Sequence, residues 1–268
     1  MPRWVVGVEY SGGAYAGWQQ QPDKPSVQQV LQQALSRVAD APILLHCAGR
    51  TDAGVHALEQ VAHFDCAAPR PPVAWVRGAN AWLPADVRVL WAREAAPEFH
   101  ARYSALARWY RYVIYNRPVN SALFAGHATW WEWPLDAGLM QQGADYMLGE
   151  QDFSSFRAQG CESVSPFRRL YFLDALRQGD QIWVDVCANA FLHHMVRNMV
   201  GSLLEVGSGR RPPGWIGEVL ARRDRRQAGL TAPPQGLHLA AVYYPERFGL
   251  PAHPRFGCLP GDIKRFGE

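Results

Sequence analysis

The chain has 268 residues, 48% hydrophobic and 12% aromatic, enough apolar material for one large domain or two closely packed halves and too much for a disordered protein. A formal net charge of +3 is too small to identify a nucleic-acid partner by itself. Every apolar run stops well short of the roughly 20 residues of a membrane span, and Met1–Val6 enters a strand-like run without a signal-peptide core, so the expectation is a soluble, cytoplasmic protein with no membrane partner.

Residues Trp4–Tyr10 read as an apolar strand and lead into the Ser11-Gly12-Gly13 turn signal. Ser26–Val38 is the clearest helix. Val27, Val30, Leu31, Ala34, Leu35 and Val38 recur at helical spacing, and Ser26 with Gln29 makes a capping-box start. Ile43–Cys47 and Gln60–Cys66 read as strands flanking a loop, Val73–Trp82 as a helix and Val87–Trp91 as a strand. The second half repeats that order: strand Arg108–Tyr115, helix Leu135–Leu148, a hairpin of Arg169–Ala175 with Gln181–Ala188, helix His194–Val206 and strand Leu237–Tyr243. Two β-α-β-β-α-β units predict an α+β chain of two tandem ferredoxin-like halves, mainly antiparallel sheets flanked by helices, over 1–106 and 107–245. From 246 to 268 the chain is Pro- and Gly-rich and is expected to be extended.

The five cysteines, Cys47, Cys66, Cys161, Cys187 and Cys258, are odd in number and form no C-x-x-C pair, which argues against a disulfide framework. His46, Cys47, His56, His63 and Cys66 share one stretch, but their spacing matches no standard ligand pattern and no metal is expected. No dinucleotide or P-loop glycine motif is present.

The segment with the most chemistry is Gly49–Ala57, GRTDAGVHA. Gly49 and Gly54 bracket Arg50-Thr51-Asp52 and permit a tight backbone path close to a ligand. A carboxylate beside a guanidinium stays ionised and can serve as nucleophile or electrostatic stabiliser. The same residues also fit a simple turn in which Asp52 caps a backbone N–H and pairs with Arg50. Tyr110 reads equally as an ordinary strand tyrosine, since Trp109, Tyr112 and Tyr115 share its run. Arg197, among Met195, Val196, Met199, Val200 and Leu203, either finds a partner or snorkels to solvent.

Gly49–Ala57 resembles the signature of the TruA-type tRNA pseudouridine synthases. Tyr10–Gln21 (YSGGAYAGWQQQ), Phe99–Ala105 with Arg108–Tyr112, Ala190–Gly201 and Gly236-Leu237 are similar to further motifs of that family, in order from about residue 4 to 245. The resemblance implies isomerisation of uridine to pseudouridine at positions 38–40 of the tRNA anticodon arm, in an active-site cleft between the halves of a homodimeric enzyme. It implies Asp52 as the catalytic carboxylate, Tyr110 stacked on the target uracil, and Arg50 on a phosphate or flanking nucleotide. Arg197 is expected to pair with Asp52, and Leu237 to lie near the base. The reaction has no redox change, so it implies no cofactor and no metal. Arg168-Arg169, Arg210-Arg211, Arg222-Arg223 and Arg225-Arg226 are candidate RNA-backbone contacts. The rival readings are a non-catalytic RNA-binding module, an Asp-dependent glycosidic hydrolase and a synthase relative with a different RNA target. The hydrolase would need a second carboxylate, and Glu59 and Asp65 read as strand-flanking residues.

Overall fold

The computed structural model describes residues 1–161 and 163–251. In chain order the first part carries β1 (Arg3–Tyr10), α1 (Val27–Ala39), β2 (His46–Cys47), β3 (His56–Asp65), α2 (Pro72–Trp82) and β4 (Val87–Ala95). The second carries β5 (Ala107–Asn116), β6 (Thr129–Trp131), α3 (Ala137–Asp145), β7 (Gly149–Asp152), β8 (Phe167–Gln178), β9 (Gln181–Ala188), α4 (Met195–Gly207), α5 (Trp215–Arg222) and β10 (Leu237–Tyr243). The chain is α+β, and none of its described helices is long and apolar enough to cross a membrane.

The described residues form two units, 1–106 with the residues from 238 onward, and 107–237. The sequence reading assigned 107–245 to one half; β10 from His238 falls with the first unit instead. Its His238 and Leu239 pair in parallel with His56 and Ala57 of β3. In the first unit β1 lies antiparallel between β4 and β3. The outer edge of β3 is shared: β2 takes His63 and Ala62, and β10 takes the other end. The order β4-β1-β3-β2 is that of a ferredoxin-like sheet.

Helix α1 begins where Ser26 Oγ accepts from the Gln29 N–H at 3.3 Å, a cap that contributes about 1 kcal/mol. Its Val27, Leu31, Ala34 and Leu35 are buried, and it ends at Asp40 in the left-handed region. Of the expected strand Ile43–Cys47 only His46 and Cys47 pair as a strand. The reason lies in α1, whose side chains satisfy this backbone locally. The Ile43 N–H donates to Ser36 Oγ (2.9 Å), the Leu45 N–H donates to Gln32 Oε1 (3.0 Å), and Leu45 O accepts from Gln28 Nε2 (3.2 Å).

In the second unit the described order is β5-β9-β8-β7, all antiparallel, with β6 parallel to β5. The β8–β9 hairpin turns at Gly179-Asp180, Gly179 having φ 58°. The sequence reading omitted β6, β7 and α5. Strands of three and four residues are too short for periodicity to reveal. Helix α5 starts directly after Pro212-Pro213-Gly214, which reads as loop, and buries Ile216, Val219 and Leu220.

The extended tail expected from residue 246 lies largely outside the described residues. Its first residues are seated on the first unit: a 3-10 turn covers Glu246–Phe248, and the Phe248 ring lies 5.1 Å from that of Phe99. Phe248 joins Val5, Ala48, Val61 and Ala101 in one buried cluster.

Candidate active site

The loop between β2 and β3 carries Arg50 and Asp52, and its backbone is held from three directions. Gln60, fully buried on β3, donates from Nε2 to the Gly49 carbonyl at 2.6 Å and accepts the Gly49 N–H at 3.4 Å. Thr51, buried, shares a hydrogen bond of 2.8 Å between its Oγ1 and the Tyr10 hydroxyl, and its carbonyl accepts the Trp18 N–H at 3.0 Å. The turn closes when the Val55 N–H donates to the Asp52 carbonyl at 3.1 Å, with Gly54 left-handed at φ 77°.

Residues 10–18 form the other wall of this loop. A Cβ on Gly12 would sit 1.9 Å from the Val55 carbonyl oxygen, and one on Gly17 would sit 2.6 Å from the Thr51 carbonyl oxygen. Gly17 also has φ 99°, so two independent requirements exclude a side chain there. The Gly12 N–H donates to Nδ1 of His56 at 3.0 Å, which requires a neutral imidazole with its proton on Nε2. The His56 ring, buried, stacks on His238 with centroids 4.8 Å apart. Against this fixed surround Asp52 is half-buried and Arg50 exposed. The loop therefore presents a carboxylate whose backbone has little freedom, the arrangement that near-attack geometry needs.

The sequence reading named Asp52 and Arg50 but gave no role to Tyr10, Gly12, Gly17 or His56. The signal was present: the tyrosine, glycine turn and Gly-Trp of residues 10–18 and the histidine four residues after Asp52. Which of them touch was not readable from spacing. Glu59 departs from expectation more sharply. It is not a flanking residue but lies within β3, 7% exposed, accepting from Trp91 Nε1 at 3.3 Å. Burial pushes its carboxyl up to about 7, opposed by the Trp91 bond. Asp65, by contrast, does end the strand, paired with Arg3 through contacts of 2.8 Å.

The clustered histidines divide into two groups. His56 serves the loop, whereas His46 and His63 stack at 5.1 Å where β2 meets β3.

Tyr110, Arg197 and Leu237 belong to the second unit. Tyr110 is buried on β5, its ring edge-on to Phe191 at 5.1 Å. Tyr112, two residues on and so on the same face, is fully buried, and its hydroxyl meets Thr129 Oγ1 (2.5 Å) and donates to the Pro233 carbonyl (2.8 Å). Gly236 packs directly on the Tyr112 ring, where a Cβ would come within 2.7 Å, and this contact sets the start of β10 at the buried Leu237.

Arg197 is half-buried on α4. Its Nε donates to the Ala232 carbonyl at 2.8 Å while the Ala232 N–H donates to the Arg197 carbonyl at 3.0 Å, fixing the guanidinium plane. It is thus not a side chain trailing into solvent. The next residue, Asn198, is fully buried and holds Arg225 (2.9 Å), Thr231 (2.7 Å) and the Phe156 carbonyl (2.8 Å). A Cβ on Gly201 would sit 1.6 Å from the Leu230 carbonyl oxygen, so α4 and the 229–232 segment are in backbone contact.

Several of the arginine pairs have structural work. Arg225 belongs to the Asn198 network, and Arg168, 9% exposed, donates to the Ser165 and Phe167 carbonyls. Arg223 pairs with Asp152 at 3.2 Å, Arg226 with Asp224 at 2.8 Å and Arg210 with Glu205 at 3.1 Å.

Comparison with known proteins identifies the chain. A family model described as tRNA pseudouridine synthase matches residues 7–104 and 144–245. The chain belongs to the tRNA pseudouridine synthase family. Among its relatives, a tRNA pseudouridine synthase A of Methylococcus capsulatus is 56% identical over 98% of this chain and 97% of its own length. Those of Hydrogenovibrio crunogenus (54%; 92% of this chain, 94% of the relative) and Idiomarina loihiensis (50%; 97% and 100%) are similar. The matched segments of the synthase model include the clamped loop around Asp52 and the Arg197 helix.

Proposed function

We propose that this pseudouridine synthase acts on uridines 38–40 of the tRNA anticodon arm, with Asp52 as its catalytic carboxylate. As a member of its family the chain is an isomerase that converts uridine to pseudouridine in tRNA. The N1–C1′ bond of the nucleoside breaks, a C5–C1′ bond forms, and a proton is lost from C5 and gained at N1. Nothing is oxidised or reduced.

The observation that carries the assignment to Asp52 is its place in the loop: buried, hydrogen-bonded Thr51 and His56 fix the chain on either side of a half-buried carboxylic residue. Attack at C1′, attack at C6 and a glycal route through loss of a sugar proton all need an ionised carboxylate held beside an extruded nucleotide. In this reading Tyr110 stacks on the uracil, Leu237 forms an apolar wall, Arg50 meets a phosphate or flanking nucleotide, and Arg197 binds at the site. Support for Arg197 comes from the Nε bond to Ala232, which orients a guanidinium on a largely buried helix. The enzyme is further proposed to act as a homodimer; the exposure of Val119, Leu123 and Trp133 supports an apolar contact surface on the second unit.

The test is pseudouridine formation on an unmodified full-length tRNA by the wild type, Asp52→Asn and Arg197→Met. Conversion at positions 38–40, reduced at least about a thousandfold in Asp52→Asn while tRNA binding persists, is expected. Wild-type binding without conversion overturns the reading in favour of an RNA-binding module. Unchanged catalysis in Arg197→Met removes Arg197 from the site.

A further inference from the structure

A second feature of the first unit has no part in the roles assigned above. After β4 the chain makes a tight turn over His100–Ser104 that carries Tyr103, 76% exposed. One such ring on a surface needs no explanation by itself; here the way the turn is built around it does.

The turn is held from every side. The His100 N–H donates to Ser104 Oγ and the Ser104 N–H donates back to the His100 carbonyl, both at 2.9 Å. The N–H groups of Arg102 (3.1 Å) and Tyr103 (3.3 Å) both donate to Nδ1 of His100. Ala101, fully buried, donates its N–H to Nδ1 of His63 at 3.2 Å and accepts the Tyr244 hydroxyl at 2.6 Å. Behind the exposed ring stands a cluster of others, tilted or edge-on to one another for the most part. Tyr103 lies 4.4 Å from His100, His100 4.6 Å from His63, and His46 packs against both at 5.7 and 5.1 Å. His63 at the inner end is buried.

The surroundings are cationic. The Arg102 guanidinium lies 5.7 Å from the Tyr103 ring centre. Arg102 and Arg50 both lie close enough to act electrostatically on the thiol of Cys47, next to His46. Asp65, which acts electrostatically on His63, is paired with Arg3.

We propose that Tyr103, flanked by Arg102 and backed by His100 and His63, is a stacking platform for an unpaired base of the substrate tRNA other than the uridine that reacts. A flat aromatic face accepts any base, an adjacent guanidinium adds attraction to the base and its phosphate, and a turn already fixed in place loses little freedom on binding. A protein partner fits less well, since an interface centre excludes charge and this ring sits beside the Arg102 guanidinium. The inference rests on the family's tRNA chemistry and adds a contact to it.

The experiment compares full-length wild type with Tyr103→Ala, Tyr103→Phe and Arg102→Ala for binding of an unmodified tRNA transcript across a salt series. Thermal melting runs alongside, because a 76% exposed side chain should leave stability unchanged on removal. Tyr103→Ala is expected to weaken binding about 5- to 100-fold, with an equal loss in kcat/KM, whereas Tyr103→Phe stays within about threefold of the wild type. Arg102→Ala is expected to weaken binding and flatten the salt dependence by about one ion. Wild-type affinity in Tyr103→Ala, or a Tyr103→Phe as weak as Tyr103→Ala, overturns the platform. Absence of uridine conversion by the wild type would strike the catalytic reading alone, since the binding comparison on the same transcript still decides the platform.

Discussion

Two segments carry the residues assigned to chemistry, and they are held in opposite ways. The Asp52 loop has no regular structure and is fixed mainly by backbone groups: carbonyls and N–H groups of 49, 51, 52 and 55 meet Gln60, Trp18 and one another, and the Thr51 hydroxyl adds its bond to Tyr10. The Arg197 segment is a helix whose internal bonds need no help, and side chains fix it to its neighbour through Asn198, Arg225, Thr231 and Ser202. A loop can place a carboxylate at a sharp turn that no helix offers, at the cost of positions that tolerate only glycine. A helix places its arginine through packing, and its weak point is a buried polar hub.

The largest effects should come where each region brings backbones into contact. Gly12→Ala drives a methyl into the Val55 carbonyl, and Gly201→Ala drives one into the Leu230 carbonyl. Each is expected to cost upwards of about 3 kcal/mol in urea unfolding, although Gly to Ala inside a helix ordinarily stabilises by about 1 kcal/mol. A neutral or stabilising Gly201→Ala would show that α4 does not depend on this approach.

Next in size is a pair of opposed pH dependences on β3. The Glu59 carboxyl is raised to about 7 by burial, so the folded state holds a proton that the unfolded chain has lost. Its contribution is complete below about 4.5 and is lost as pH rises to about 7. The His63 imidazole is lowered to about 4 by burial and by nearby His100, Arg3 and His46, with Asp65 opposing. Its contribution is complete above about 6.5 and is lost as pH falls to about 4. Between these limits the two slopes oppose. Glu59→Gln should therefore expose a stability that rises with pH, and His63→Phe one that falls, each by no more than about 3 kcal/mol across the window. Equal pH profiles for wild type and Glu59→Gln would remove Glu59 from this account.

Smaller effects separate the two regions by function. Asn198→Ala leaves the groups of Arg225, Thr231 and Phe156 without their partner, at a cost of about 2 kcal/mol. His56→Ala strands the Gly12 N–H at similar cost, but its loss should fall on kcat more than on KM, because it loosens the turn that presents Asp52. A His56→Ala enzyme with unchanged kcat would show that the loop does not need this bond.

Periodicity and a capping signal located α1 to within a residue or so, because it is long enough for an apolar face to repeat, and α2, α4 and β10 also fall within a few residues of where the sequence places them. The Gly-bracketed run around Asp52 likewise marked the loop, since few sequences need two glycines around an acid. Other features required the fold. Ile43–Leu45 has strand-like composition, yet α1 side chains take its backbone bonds. Glu59 reads as a surface acid, yet β3 is covered along nearly its whole length. Tyr10, Gly12 and Gly17 lie 34 to 44 residues from the groups they touch, a separation across which spacing carries no information. Local pattern marks where the longer helices and strands lie. Which buried group finds which partner is decided only when distant segments pack, because desolvation forces each polar atom to take the partner the fold supplies.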